Sequence, residues 1–449
     1  MRKLFGTDGI RAIAGQSPLD RTTIYAMGLA LAHSLKKQVS APRVVLGMDT
    51  RESSSWIAAT LAQGLRDGGA GVASAGVLPT PGIAYLTRTH GFAAGVVISA
   101  SHNPWQDNGI KIFGPDGYKL ADAVELQIEA EIFEQLANAQ TPTADAAALP
   151  TVTPSYRQDY AAYLLGNVPD LRLDGMTIVL DCANGAASAM APDLFASLGG
   201  TIILTHCQPD GRNINANCGA LHAEVVAKEV AAHHADLGVT LDGDADRALF
   251  ANGQGAVVNG DAVLLIAARD LQARKLLRSD LVVATTMSNM GLEAALTRSG
   301  IRMLRAPVGD KYVLEEMKRS QAILGGEQSG HILFLDRSTT GDGLLTALVL
   351  LDTVQRAKKS LAELHQDLKV FPQVIVNVRV REKKPLESLP AVVHSIRAAE
   401  QELHGSGRVV VRYSGTEALA RVMIEAESEE AMQRHATCIA DAIRSELGV

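Results

Sequence analysis

The sequence predicts an α/β protein of four domains: three similar mixed α/β domains and a C-terminal α+β domain with an antiparallel sheet. Three observations carry that prediction. An apolar strand, an amphipathic helix and a later apolar strand that runs into a polar loop recur three times along the chain, the order expected of α/β units with right-handed crossovers. From about residue 368 the pattern changes to strict alternation, the period of a strand with one wet face. The 449 residues exceed what one hydrophobic core organises, so several domains are expected.

The first repeat begins with Val44-Val45-Leu46-Gly47-Met48-Asp49, continues in a helix near residues 53–65, and reaches the small, β-branched run Ala93-Ala94-Gly95-Val96-Val97-Ile98. Pro104 and Asn108-Gly109 are expected to stop regular structure after it. The second begins with Thr177-Ile178-Val179-Leu180-Asp181, passes a helix around residues 191–198 and ends in Leu237-Gly238-Val239-Thr240-Leu241. The third begins with Leu281-Val282-Val283-Ala284, has a helix near residues 291–297 and ends in Ala322-Ile323-Leu324-Gly325. Mainly parallel sheets follow from this order. Val374, Val376, Val378 and Val380 alternate with more polar neighbours, residues 408–412 and 420–425 form further strands, and residues 428–447 a closing helix. The domains are therefore expected at 1–150, 151–255, 256–367 and 368–449. Three packed repeats can aim their loops into a shared central cleft.

Each repeat ends in a chemically loaded loop. Ser101, in Ser99-Ala100-Ser101-His102-Asn103-Pro104, is presented at the end of a rigid strand, where open α/β sheets keep their chemistry. Asp242, Asp244 and Asp246 alternate, so in extended chain their carboxylates project to one side. Three converging carboxylates repel unless a cation neutralises them, and oxygen ligands suit Mg²⁺ or Ca²⁺. An EF-hand is excluded, because Arg247 and Gly253 stand where that loop needs Gly and Glu. Arg247 can pair with the acids or reach an anionic ligand. The third loop is Gly326-Glu327-Gln328-Ser329-Gly330-His331. In the C-terminal segment, Arg412-Tyr413-Ser414-Gly415-Thr416-Glu417 with Arg421 forms a plausible phosphate cradle, since guanidinium binds phosphate bidentately. A serine, a carboxylate-bound cation, a polar sugar-gripping loop and a phosphate cradle are together the parts of phosphoryl transfer. Lys111 lies close enough to Ser101 in sequence to serve as general base, with Arg11 or His331 assisting.

Composition excludes other classes. A net charge of −7 argues against nucleic acid as partner. Cys182, Cys207, Cys218 and Cys438 have no CxxC spacing and are expected as free thiols. The N-terminus meets charge before any hydrophobic segment, and the longest apolar stretch, residues 344–351, is too short to span a bilayer, so no membrane partner and a cytoplasmic location are expected. Neither GxxxxGK[ST] nor a helix-opening GxGxxG occurs; Asn252-Gly253-Gln254-Gly255 fits a hairpin instead. His233 and His234 are expected on the surface of a helix.

The loops occur in order with Phe5-Gly6-Thr7-Asp8-Gly9-Ile10-Arg11 before them and Pro307-Val308-Gly309-Asp310-Lys311-Tyr312-Val313 within the third repeat. In this the chain resembles the α-D-phosphohexomutase superfamily over essentially its whole length, most closely its bacterial branch acting on glucosamine phosphates. The resemblance implies four domains around a central cleft and interconversion of glucosamine 6-phosphate and glucosamine 1-phosphate, a step toward UDP-N-acetylglucosamine. It implies that Ser101 is the phosphorylated serine, and that Asp242, Asp244 and Asp246 with the Ser101 phosphate hold one Mg²⁺ per chain. A hexose 1,6-bisphosphate or autophosphorylation would prime Ser101. Glu327 and Ser329 would grip sugar hydroxyls. Lys311 keeps a cation where the family usually has Arg. Arg412, Ser414, Gly415, Thr416 and Arg421 would hold the distal phosphate. The partner is a small sugar phosphate and the assembly a monomer or homodimer. Rival readings are a phosphomannomutase/phosphoglucomutase, a silent sugar-phosphate-binding protein and a metal-dependent phosphatase.

Overall fold

The structure is a computed structural model that describes residues 4–6, 8–138, 148–414 and 418–448. The chain forms two compact units, residues 1–287 with 301–366, and residues 288–300 with 367–449.

The first unit holds three sheets built on one plan. Strands β1 (Ile10–Ile13), β2 (Arg43–Met48), β3 (Gly71–Val77), β4 (Ala94–Ile98) and β5 (Asp107–Phe113) form the first, in the order β1-β5-β4-β2-β3. It is accompanied by α1 (Arg21–Lys36), α2 (Ser54–Asp67), α3 (Thr80–Thr89) and α4 (Asp122–Ala137). After α5 (Ser155–Gly166), the second sheet contains β6 (Thr177–Asp181), β7 (Thr201–Thr205), β8 (Leu237–Leu241), β9 (Ala248–Asn252) and β10 (Val257–Val258), in the order β10-β9-β8-β6-β7. Its helices are α6 (Ala191–Ala196) and α7 (Ala223–His233). After α8 (Gly260–Ala273), the third contains β11 (Leu281–Thr285), β12 (Arg302–Ala306), β13 (Leu324–Gly326) and β14 (Ile332–Phe334), in the order β12-β11-β13-β14, with α9 (Met290–Arg298) and α10 (Asp310–Ser320) between strands, and α11 (Gly343–Ala357) and α12 (Leu361–Leu364) after them.

Each sheet has a parallel trio, β3-β2-β4, β7-β6-β8 or β12-β11-β13, and then a strand running the other way. β4 meets β5, β8 meets β9, and β13 meets β14, all antiparallel. The sheets are thus mixed where mainly parallel ones were expected. The chemistry-bearing loop is in every case the connection from the last parallel strand to its antiparallel neighbour, so the three loops occupy equivalent places. β4 and β8 are buried along their whole length, which fits their unbroken apolar sequences.

One local expectation fails. Asn108-Gly109 does not end regular structure but lies inside β5. The Asn108 amide is satisfied inward by the Ser53 and Ser54 hydroxyls, at 2.8 and 3.0 Å. A Cβ on Gly109 would stand 2.5 Å from the Ser99 carbonyl, so the glycine permits a close strand approach rather than a turn. The Asn252–Gly255 hairpin forms between β9 and β10 as expected.

In the second unit β15 (Gln373–Arg379), β16 (Gly407–Tyr413) and β17 (Leu419–Ala426) make an antiparallel sheet in the order β15-β17-β16, with α13 (Pro390–Glu402) and α14 (Glu429–Leu447). Val378, Val392, Val422, Ile439 and Ile443 form its core. Helix α9, expected with the third repeat, joins this unit: Asn289 exchanges hydrogen bonds with the backbone of Phe371, and Met290 N–H donates to Glu425.

Asp342 caps α11, accepting the Leu345 N–H at 2.9 Å, and accepts the Tyr160 hydroxyl from α5 at 2.9 Å. Burial pushes its carboxyl up to about 7 despite both donors. A group that binds its proton more tightly when folded stabilises fully below its unfolded pKa, about 4, and loses that contribution as pH rises to 7. Asp342→Asn should therefore flatten the loss of thermal stability between pH 5 and 8, the wild type falling by a few kcal/mol more over that span in unfolding scans.

Candidate active site

Ser101 stands at the head of its loop with a left-handed backbone (φ 52°) and is 2% exposed. A non-glycine residue holds that conformation only when its surroundings over-determine it. Here Arg51 does so. Its fully buried guanidinium donates to the carbonyls of Ser101, Asn103 and Asp107, each at 2.9 Å, and to that of Pro104. Nε donates to Asp49 at 2.8 Å, and Asp49 also accepts the hydroxyls of Ser54 and Ser99. Ser99 Oγ in turn accepts the Ser101 N–H. From the second sheet, Asn215 Nδ2 donates to the Ser101 carbonyl at 2.9 Å.

The Ser101 hydroxyl donates to Asp242 Oδ2 at 2.6 Å. Asp242, Asp244 and Asp246 are buried, and one carboxylate oxygen from each lies within 4.8 Å of the others. They converge on a turn with Ala245 left-handed (φ 55°), not on extended chain as their alternation suggested. Gly243, between the first two, lets the loops meet, because a Cβ there would stand 2.5 Å from the Ser101 carbonyl. Burial, then Asp246 and Asp244, push the Asp242 carboxyl well above the usual range. Among the described residues Asp244 Oδ1 has no hydrogen-bond partner, and Asp246 Oδ1 has His331 Nδ1 at 3.6 Å and Arg247 Nε at 3.8 Å. Clustered, partly unsatisfied carboxylate oxygens beside a serine fit a hard divalent cation.

Lys111, on β5 and 1% exposed, places its ammonium 2.8 Å from Asp244, 3.1 Å from Asp8 and 3.7 Å from Asp246. Burial alone would lower its pKa, but Asp244, Asp8 and Asp246 outweigh it and hold the lysine charged. That environment opposes the general-base role expected from sequence; a held ammonium can donate a proton or neutralise charge. Lys119 bridges Asp8 to Asp310 on α10. Burial opposes ionisation of Asp8, yet Lys111, Lys119 and Arg11 hold it well below its ordinary value.

From the third sheet, Glu327 and His331 face a cleft of about 400 Å³ that Arg11, His102, Asp246 and Arg247 also line. Glu327 accepts the Gly309 N–H at 3.1 Å, and Ser329 lies 3.5 Å from its carboxylate. His331 is buried, which would lower its pKa, but Asp246, Asp310 and Glu327 raise it. Arg11 donates to the Ala100 carbonyl and to Asn103 and pairs with Asp8. Ser101, Lys111, Arg11, His331, Glu327, Ser329, Arg247 and the three aspartates are thus gathered in one region. Lys311 pairs its ammonium with Asp122 on α4 and lines an adjoining cavity with Lys111, Lys119, Asp310 and His331.

In the second unit, Arg412 on β16 and Arg421 on β17 are register partners, so two guanidinium groups sit opposite one another. Like charges directly across a sheet repel, and an anion between them relieves it. Ser414 is buried and its carbonyl accepts Lys383 Nζ at 2.7 Å. Gly415 and Thr416 lie outside the described residues.

Sequence reasoning missed Arg51, Asp8, Lys119, Asp310 and Asn215 as site-building residues. His102 was visible in its motif without a role. Its Nδ1 is 3.3 Å from Ser101 Oγ, and burial together with Arg247 and Arg11 lowers it to about 4, so it is neutral beside the serine.

Comparison with known proteins agrees with this geometry. The family description "Phosphoglucomutase/phosphomannomutase" matches in four parts, alpha/beta/alpha domains I, II and III at residues 2–139, 158–255 and 259–371, and the C-terminal domain at 375–442. The chain belongs to the phosphoglucomutase/phosphomannomutase family. It is 61% identical to the phosphoglucosamine mutase of Koribacter versatilis, over 100% of this chain and 98% of that protein. It is 54% identical to that of Solibacter usitatus, over 100% and 99%. In fold it is similar to a phosphoglucomutase/phosphomannomutase family protein of Burkholderia thailandensis, with TM-score 0.79 and 22% identity over 99% of both chains. It is also similar to Aspergillus fumigatus N-acetylphosphoglucosamine mutase, solved with GlcNAc-6P and magnesium, with TM-score 0.69 and 18% identity over 99% of this chain and 96% of that one.

Arg51→Ala would leave Asp49 buried without its ion pair and take one donor from each of four carbonyls, Ser101 and Asn103 keeping Asn215. It should cost about 3–5 kcal/mol in thermal unfolding. Arg51→Lys, which keeps the charge but loses the planar fork, should fall between it and the wild type.

Proposed function

We propose that this chain is a phosphoglucosamine mutase, interconverting glucosamine 6-phosphate and glucosamine 1-phosphate through a phosphorylated Ser101 and a 1,6-bisphosphorylated sugar. The observation that carries the reading is the Ser101 hydroxyl on Asp242 with two further carboxylates within 4.8 Å, in a chain 61% identical to a protein of that name. Bound to Asp242, Asp244, Asp246 and the Ser101 oxygen, Mg²⁺ would supply charge neutralisation at the reacting phosphate.

The chain's own residues do the rest. The Ser101 phosphoryl group passes to the free 1- or 6-hydroxyl of the sugar, the phosphorus–Oγ bond breaking as the new phosphorus–oxygen bond forms and the hydroxyl proton ending on Ser101 Oγ. The bisphosphate turns over, and its other phosphoryl group returns to Ser101. Arg51 and Asn215 fix the serine's backbone, so little reorganisation is needed at the reacting atom. Lys111, held cationic, and His331, whose pKa the neighbouring Asp246 raises, face the acids, and Arg11 assists from the side of Asn103. His102 is the uncharged base touching the serine oxygen. Glu327 and Ser329 take sugar hydroxyls, and Arg247 takes an anionic group. Arg412, Arg421 and Ser414, with Gly415 and Thr416, take the phosphate that is not reacting. Priming by a hexose 1,6-bisphosphate starts the cycle.

Three measurements test this. With Mg²⁺ and a priming bisphosphate, kcat/KM should favour glucosamine 6-phosphate over glucose 1-phosphate and mannose 1-phosphate; equal or better rates on the neutral sugars would move the chain to a phosphoglucomutase/phosphomannomutase activity. Ser101→Ala should abolish turnover and remove the phosphate mapped to the loop peptide. Lys111→Met should lower kcat by about 10²-fold or more, since it strips the cation from three buried carboxylates.

A further inference from the structure

We propose that Asp181, His206 and Cys218 form a second metal site, outside the cleft, for a borderline-soft divalent ion such as Zn²⁺. Asp181 ends β6, His206 follows β7, and Cys218 precedes Gly219, whose left-handed backbone (φ 77°) turns its N–H onto Asp181. One ligand atom from each of the three lies within 4.8 Å of the others, and Asp181 Oδ1 is 3.6 Å from His206 Nδ1. Ligand bonds of about 2.0–2.3 Å in a tetrahedron put neighbouring ligand atoms roughly 3.5 Å apart. The Asp181–His206 pair already stands at that spacing.

The carboxylate is held ready for that role. Asp181 is fully buried, its Oδ1 accepting the Ala183 N–H at 2.8 Å and its Oδ2 the Gly219 N–H at 2.9 Å and the Thr240 hydroxyl at 3.1 Å. Such donors orient ligand carboxylates from behind. Cys218 is buried, whereas the His206 side chain is 30% exposed and gives an ion and a fourth, water ligand access. On binding, the Cys218 thiol proton leaves to solvent and the sulfur coordinates as thiolate.

The donor set separates the two sites. Thiolate and imidazole select a borderline ion, whereas the three aspartates beside Ser101 select a hard one. The new site also has a structural consequence. Asn215 N–H donates to the Ala183 carbonyl at 2.9 Å, while its side chain reaches Ser101. An ion on Asp181 and Cys218 would pin the chain on either side of that strut. The proposal needs nothing from the reaction assigned above.

The test is a Co²⁺ titration of the metal-stripped full-length protein, followed in the visible and near-ultraviolet. One equivalent should give tetrahedral d–d bands and a thiolate-to-cobalt charge-transfer band, which Zn²⁺ displaces and excess Mg²⁺ does not. The all-oxygen aspartate site cannot produce the charge-transfer band. Cys218→Ser should abolish that band, and His206→Asn should weaken Co²⁺ binding about tenfold or more while keeping the fold by circular dichroism. No thiolate band in the wild type, a band that survives Cys218→Ser, or undiminished affinity in His206→Asn overturns the proposal.

Discussion

The buried ammonium of Lys111 is the charge on which the first unit depends. An unpaired ammonium at that depth would cost several kcal/mol, and besides Asp8 its compensation comes from another domain, from Asp244 and Asp246 on the loop after β8. The first and second sheets are thereby bound by mutual need: separate them and one side keeps a cation with Asp8 alone, the other a cluster of anions. The alternation runs on through Asp8, Lys119 and Asp310 to the third sheet. Each charge is stable only because the next is in place, so the three loops are set relative to one another before any substrate arrives. That is preorganisation in its electrostatic form.

Arg51 performs the same service within one loop. Four carbonyls pointing at one guanidinium make a segment without regular secondary structure as fixed as a strand end. In the reaction proposed above, a serine on such a support would keep its geometry as a phosphoryl group enters and leaves.

The strands, the repeat and the positions of the polar loops were legible because they depend on local pattern: β4 and β8 are unbroken apolar runs, and β15 alternates. The antiparallel turn at each sheet's edge was not, since nothing in the run Asp107–Phe113 distinguishes a strand that continues a sheet from one that reverses it. Asn108-Gly109 misled for a related reason. Gly served a close approach to Ser99, a tertiary fact invisible to turn propensity. The three aspartates were found by spacing although the reason offered, extended chain, was not the one the fold uses. Arg51 escaped because its partners are carbonyls, and no residue pattern marks a carbonyl that will need a donor. Lys311 shows a related limit: a cation in a recognisable motif whose partner, Asp122, comes from another helix that the motif does not announce. Lys111 was located by its nearness to Ser101 along the chain, but its protonation depends on carboxylates from two other segments, so sequence pointed to the residue and not to its state.

The same charges govern what Ser101 can carry. Its hydroxyl already rests on Asp242, whose carboxyl is driven upward by burial and by its two neighbours. A phosphate there brings about two further negative charges at neutral pH into a cluster that the nearby cations do not fully offset. Under the function proposed above, a divalent cation held by the three clustered aspartates would relieve that load. By linkage the coupling is reciprocal, so whatever favours the cation favours the phosphate and the reverse. Under the proposed function, metal loading and phosphorylation of this serine would be two aspects of one electrostatic equilibrium, set by the spacing of three carboxylates around a lysine.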